Sequence, residues 1–155
     1  MNHSAEIFVA LQRLLPQHAL SRLIAKAAES KKPWLKNILI KKAISAFDIN
    51  IDEAFSSDLN DYESFNAFFT RALKDGMRPV DPAQTSIISP ADGAVSQAGA
   101  IDAQRIIQAK GSDYSASRLV GCPEQAAGYE NGSFTTIYLS PRDYHRVHLP
   151  VAGRL

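Results

Sequence analysis

Phe134-Thr135-Thr136-Ile137-Tyr138-Leu139-Ser140-Pro141-Arg142-Asp143-Tyr144-His145-Arg146-Val147-His148-Leu149-Pro150 passes from an apolar, β-branched run into a segment with two histidines, two arginines and an aspartate between two prolines. The first five residues read as a strand. Titratable side chains are therefore set on a strand end, where site chemistry is commonly built. Upstream of it the texture from Ser86 is one of short strands, at Ile87-Ile88, Ala94-Val95-Ser96 and Arg105-Ile106-Ile107. Turns at Ala91-Asp92-Gly93 and Asn131-Gly132 separate them, and residues 116–120 read as a short helix.

The front of the chain follows a different period. Ile7, Phe8, Leu11, Leu14 and Leu15 lie on one helical face that Pro16 ends, and Leu20, Leu23, Ile24 and Ala27 form a second. A third helix opens at Trp34 and sets Trp34, Leu35, Ile38, Leu39 and Ile44 against Lys36, Lys41 and Lys42. Residues 48–61 are acidic and turn-like. Residues 62–74 read as a helix with Phe65, Phe68, Phe69 and Leu73 on one face, closed by Gly76; an extended Arg78-Pro79-Val80-Asp81-Pro82 follows. The expected class is α+β, with N-terminal amphipathic helices followed by a β-rich, mostly antiparallel domain.

Of the 155 residues, 45% are hydrophobic and 21% charged, as in an ordinary soluble domain with enough chain for a core. The net charge is only +1, but residues 1–42 hold eight Lys/Arg against Glu6 and Glu29, and the remainder is net −5. A basic, amphipathic head suits an anionic membrane surface as well as packing on the body. No nucleic-acid partner is expected. Cys122 is the only cysteine, so an internal disulfide and a thiolate metal cluster are excluded. No run reaches the ~18–20 apolar residues of a membrane span, and the start lacks a signal-peptide pattern. The chain is expected to stay in the compartment where it is made.

Two constellations could carry chemistry. Ser89-Pro90-Ala91-Asp92-Gly93 puts an aspartate on a rigid turn, suited to orienting a histidine but also simply a good turn. His145-Arg146-Val147-His148 offers general acid–base groups and forks for phosphate or carboxylate. With Asp92 the histidines could also make a His₂-carboxylate metal site. In an extended strand, however, residues three apart point to opposite faces.

Several stretches together resemble bacterial, pyruvoyl-dependent phosphatidylserine decarboxylases. They are Asp61-Tyr-Glu-Ser-Phe-Asn-Ala-Phe-Phe-Thr-Arg-Ala-Leu-Lys74 with Arg78-Pro79, Pro90-Ala-Asp-Gly93, Gln108-Ala-Lys-Gly111 with Tyr114-Ser115, and above all the run from Tyr138 to Pro150. The resemblance covers nearly the whole chain and matches the N-terminal, β-subunit portion of the proenzyme. It implies a carboxy-lyase that converts phosphatidylserine to phosphatidylethanolamine and CO2. The family's pyruvoyl cofactor arises by self-cleavage before a serine in a Leu-Gly-Ser-Thr-like motif, leaving that group on an α subunit. Asp92 and His148 match the residues that form a triad with that serine, His145 matches a residue of substrate binding and decarboxylation, and Tyr138 lines the same pocket.

The resemblance also implies a division into a basic membrane-associating helical region over 1–47, a helix and connector over 48–85, and the first part of a catalytic domain over 86–155. No Leu-Gly-Ser-Thr motif is present; the Gly-Ser pairs are Gly111-Ser112 and Gly132-Ser133. The β-rich domain is therefore expected to be truncated at the C-terminus and the chain alone to be inactive. Expected partners are a phospholipid membrane with phosphatidylserine, the α subunit and a second copy in a homodimer, on the cytoplasmic face of a bacterial inner membrane. Alternatives are a non-catalytic membrane-binding remnant and a metal-dependent hydrolase.

Overall fold

The computed structural model describes residues 16–83, 85–102, 105–107 and 113–153. The helix expected over 7–15 and the motif at Gln108 lie outside them. The chain divides into two compact units, Met1–Met77 and Arg78–Leu155.

The first unit is helical. α1 (Gln17–Ala28) and α2 (Pro33–Phe47) follow the expected periodicity. Pro33 opens α2 because the first helical turn does not use its missing N–H. Asp48 closes it in the left-handed conformation at φ 53°, and the Ile49 amide then reaches the Ile44 carbonyl at 3.1 Å. The face that α2 buries differs from expectation. Lys36, Ile40 and Ala43 are buried, whereas Trp34 is 63% and Ile38 47% exposed. Lys36 tolerates burial because its Nζ donates to the Leu59 carbonyl at 2.6 Å and to Asn37 Oδ1 at 2.8 Å. Two apolar stripes thus run along one helix, and the lysine within the buried one is satisfied by a turn that the helical period alone does not reveal.

The helix expected over 62–74 is cut to α3 (Phe65–Phe69), capped by the Ser64 hydroxyl, which accepts from the Ala67 amide at 3.1 Å. Beyond Thr70 the backbone turns to pair with 53–55: the Phe55 amide reaches Ala72 O and the Lys74 amide reaches Glu53 O, both at 2.9 Å. This bridge between Ala54 and Leu73 overrides the helical pattern. The core gathers Ile40, Ala43, Ile49, Tyr62 and Phe68, with Ile44, Ile51, Leu59 and Phe65 against it. Phe68 is fully buried, meets Tyr62 edge-on at 5.4 Å, and carries the Arg71 guanidinium 5.1 Å over its ring. Burial pushes the Tyr62 phenol above its ordinary pKa, and its hydroxyl donates to the Ser56 carbonyl.

In the second unit β1 (Ala94–Ala100) pairs antiparallel with β4 (Ser133–Tyr138), from Ala94 opposite Tyr138 to Ala100 opposite Ser133. The register slips between Val95 and Gln97, and Ser96 at this bulge donates its hydroxyl to the Thr136 carbonyl at 3.2 Å. The connection between them holds β2 (Arg105–Ile107) paired antiparallel with β3 (Asp113–Ser115), then α4 (Ala116–Val120) and α5 (Pro123–Ala126). A small core of Ile101, Ala116 and Ala126, covered by Phe134, anchors the far end of the ribbon. Helices with antiparallel strand pairs make the α+β class the observed one. The pair at Ile87-Ile88 is not a strand, for a reason that also shapes the site.

Gly93 lies at φ 145°, where its hydrogen faces the partner strand. A Cβ there would stand 2.3 Å from the Tyr138 carbonyl oxygen, against backbone that cannot yield.

Two stability outcomes follow from these contacts. Phe68→Ala lowers unfolding free energy by about 3–5 kcal/mol in a denaturant titration of the chain. Gly93→Ala costs at least about 1–3 kcal/mol, read as a lower melting temperature, while Gly76→Ala, whose surroundings are open, costs only its backbone strain.

Candidate active site

The site-bearing loop hangs from the end of the β1–β4 ribbon. Beyond Ala94 and Tyr138 the two chains separate and meet again through two backbone bonds: the Ile88 amide to the Pro150 carbonyl at 3.0 Å, and the His148 amide to the Pro90 carbonyl at 2.8 Å. In an antiparallel hydrogen-bonded pair each residue normally donates to the other. Here each rung faces a proline, so the return bond has no N–H and each pair keeps one bond instead of two. This is why 87–88 forms no regular strand. The rungs still tie the backbone at His148 to within two residues of Asp92.

Asp92 is held by Arg78. The guanidinium Nε lies 2.9 Å from both carboxylate oxygens and Nη2 lies 2.6 Å from Oδ2. The Asp92 side chain is 23% exposed, so this forked pair is partly shielded and directional. The expectation that Asp92 serves an imidazole now meets a carboxylate whose hydrogen-bond partner is an arginine.

Between the ribbon end at Tyr138 and the His148 rung, residues 140–143 make a tight turn. Pro141 supplies the fixed φ of its second position, the Asp143 amide reaches the Ser140 carbonyl at 2.9 Å, and the Asp143 carboxylate accepts from the Ser140 amide at 2.6 Å. Asp143 is thus a structural clamp; Arg142 lies a weak 3.9 Å from it. This turn launches Tyr144, His145 and His148.

His145 Nδ1 lies 2.9 Å from the Asp143 carbonyl oxygen. A carbonyl only accepts, so Nδ1 carries the hydrogen, and in the neutral ring Nε2 is the basic nitrogen. His148 faces Tyr144: its Nε2 is 3.0 Å from the tyrosine hydroxyl, and the rings stack at 5.5 Å and 21°. Tyr144 is buried and His148 is exposed. Tyr138, the last residue of β4, is 61% exposed, and its carbonyl packs on Gly93. Among the described residues no group of three or more His, Cys, Asp or Glu comes together as metal ligands would.

The arrangement supplies two imidazoles on one short loop with different backbone and side-chain partners, beside a carboxylate–guanidinium pair. Such a set can move protons at Nε2 and hold a negative charge nearby. Two contributors are not marked by residue type in the sequence. Arg78 stands there in the extended stretch before Pro79 and in the motif shared with the family, with no pattern linking it to Asp92. Tyr144 stands four residues before His148, a spacing whose meaning depends on how the turn folds.

Comparison with known proteins matches a family profile described as Phosphatidylserine decarboxylase to residues 65–155 and another, PSD, to residues 7–48. The phosphatidylserine decarboxylase proenzyme of Hahella chejuensis is 50% identical over 150 residues, covering 96% of this chain and 51% of the relative. That of Azotobacter vinelandii is 51% identical, covering 96% and 52%, and that of Acinetobacter baumannii is 49% identical, covering 97% and 53%. The chain spans about half the length of these curated relatives. A match this continuous, on the loop and the helices alike, means that the chain belongs to the phosphatidylserine decarboxylase family.

Proposed function

We propose that this chain is the β-side portion of a membrane-attached phosphatidylserine decarboxylase that matures by serine self-cleavage. The observation that carries the reading is the His148–Pro90 rung, which ties the imidazole's backbone to the turn bearing Asp92 in a chain of this family. A carboxylate and an exposed imidazole on neighbouring segments fit what serine activation needs. In this reading His148 Nε2 takes the proton of a serine hydroxyl from the downstream part of the protein, and that oxygen attacks the preceding carbonyl. Asp92 supports the charge that His148 gains. Cleavage at that serine yields the pyruvoyl group, an electron sink for loss of CO2. His145, with Nε2 basic, handles the proton that replaces CO2, and Tyr138 borders the substrate.

The helices support attachment to a lipid surface. Leu20, Leu23, Ile24, Trp34, Ile38 and Phe47 are exposed apolar residues on α1 and α2, interspersed with Arg22, Lys26, Lys41 and Lys42. No helix among the described residues is long and apolar enough to cross a membrane. In this reading the apolar side chains enter the lipid interface and the lysines meet anionic headgroups. The placement at a bacterial inner membrane and a homodimer belong to the same proposal.

Expression of the complete native reading frame that contains this chain tests the chemistry. Two fragments are expected, with the break before a serine beyond Leu155, together with conversion of phosphatidylserine to phosphatidylethanolamine. His148→Ala and Asp92→Asn leave one uncleaved polypeptide. His145→Ala still cleaves but turns over at least about a hundredfold more slowly. The 155-residue chain alone produces no phosphatidylethanolamine. A complete frame that neither cleaves nor decarboxylates would remove the catalytic reading. For the membrane, Lys41→Gln with Lys42→Gln weakens binding to phosphatidylserine-containing vesicles about thirtyfold at low salt, measured by co-sedimentation. Equal binding to neutral vesicles would argue against headgroup contact.

A further inference from the structure

We infer that Tyr144 is the positioning residue of His148, delivering the imidazole with its hydrogen on Nδ1 and its lone pair on Nε2. Tyr144 is 9% exposed, whereas His148 is an exposed residue whose ring would otherwise sample several rotamers. Three contacts restrain it. The backbone amide is held by the Pro90 carbonyl at 2.8 Å, the ring lies against the Tyr144 ring at 5.5 Å and 21°, and Nε2 meets the Tyr144 hydroxyl at 3.0 Å.

The hydroxyl decides the tautomer. An imidazole nitrogen is a stronger acceptor than a phenol oxygen, and the phenol hydrogen has no other acceptor among the described residues. O–H···Nε2 is therefore the arrangement in the neutral ring, and the imidazole hydrogen sits on Nδ1. When the ring takes a proton, Nε2–H donates to the same oxygen, so the contact survives both states. His145 reaches the same tautomer by another route, through Nδ1 and the Asp143 carbonyl. The loop thus presents both rings with Nε2 as the basic atom. This deepens the proposed function, and its catalytic consequence rests on that reading: the Tyr144 hydroxyl occupies the position at Nε2 that a serine hydroxyl must reach, holding the ring ready until it is displaced.

Long-range 1H–15N spectra of the 15N-labelled chain, recorded where the imidazoles are neutral, test this without any turnover. In the unsubstituted chain His148 and His145 both show the Nδ1–H pattern. Tyr144→Phe keeps the buried ring and removes the hydroxyl. The ratio of Nδ1–H to Nε2–H forms at His148 then falls about fivefold, the effect of one ordinary hydrogen bond, while His145 is unchanged. A His148 in the Nε2–H form in the unsubstituted chain overturns the inference. So does an unaltered His148 ratio in Tyr144→Phe. Should Tyr144→Phe disturb the loop, His145 changes too, and the spectrum of the unsubstituted chain decides alone. Loss of decarboxylation for any other reason leaves these spectra unaffected.

Discussion

Two single-bonded rungs, Ile88 to Pro150 and His148 to Pro90, hold the candidate site together. Each lacks the return bond that a residue with an N–H would give, because a proline stands opposite. The prolines therefore permit close approach while preventing the segment from becoming ordinary sheet. The loop between the rungs and the β1–β4 ribbon is closed at both ends; Tyr144 turns inward while Arg142, Arg146 and His148 are exposed. Gly93 is the second condition of this closure, since only a residue without Cβ lets the turn after Asp92 lie on the Tyr138 carbonyl.

The loop is organised as a graded series of restraints. Asp143 and Ser140 lock the turn by two reciprocal hydrogen bonds, the turn's own carbonyl sets the His145 tautomer, and the buried Tyr144 ring backs His148. Arg78 fixes the carboxylate on the opposite segment. Under the proposed function the two imidazoles transfer protons, and such groups work best when their direction and tautomer are set beforehand, here by backbone atoms and the Tyr144 side chain. The helical unit applies a different logic. In α2, one stripe enters a core that includes Phe68, and the other leaves Trp34 and Ile38 outside among lysines. A helix apolar on two sides needs two environments, and the core supplies only one.

Much of this was legible from residue order. The α+β class, the positions of α1, α2, α4, β1, β2 and β4, and the clustering of titratable residues after β4 follow from periodicity, breakers and composition. The family resemblance was legible separately, from motifs strung along nearly the whole chain. The length of α3 was not legible, because the pairing of 72–74 with 53–55 is a contact between segments that no local period encodes. β3 was not read either: Asp113-Tyr114-Ser115 carries one apolar residue between two polar turn formers, unlike the Ile106-Ile107 run of β2.

The sequence by itself determined which chemical groups exist, which elements they ride on and to which family they belong. Those properties depend on side-chain type and short spacing. Only the tertiary structure decided which face of α2 is buried, that the Asp92 carboxylate is held by Arg78, and that Tyr144 stands behind His148. These depend on where separate segments meet, and a turn built by Pro141 and Asp143, with two proline-limited rungs, sets those meetings through backbone geometry rather than residue pattern.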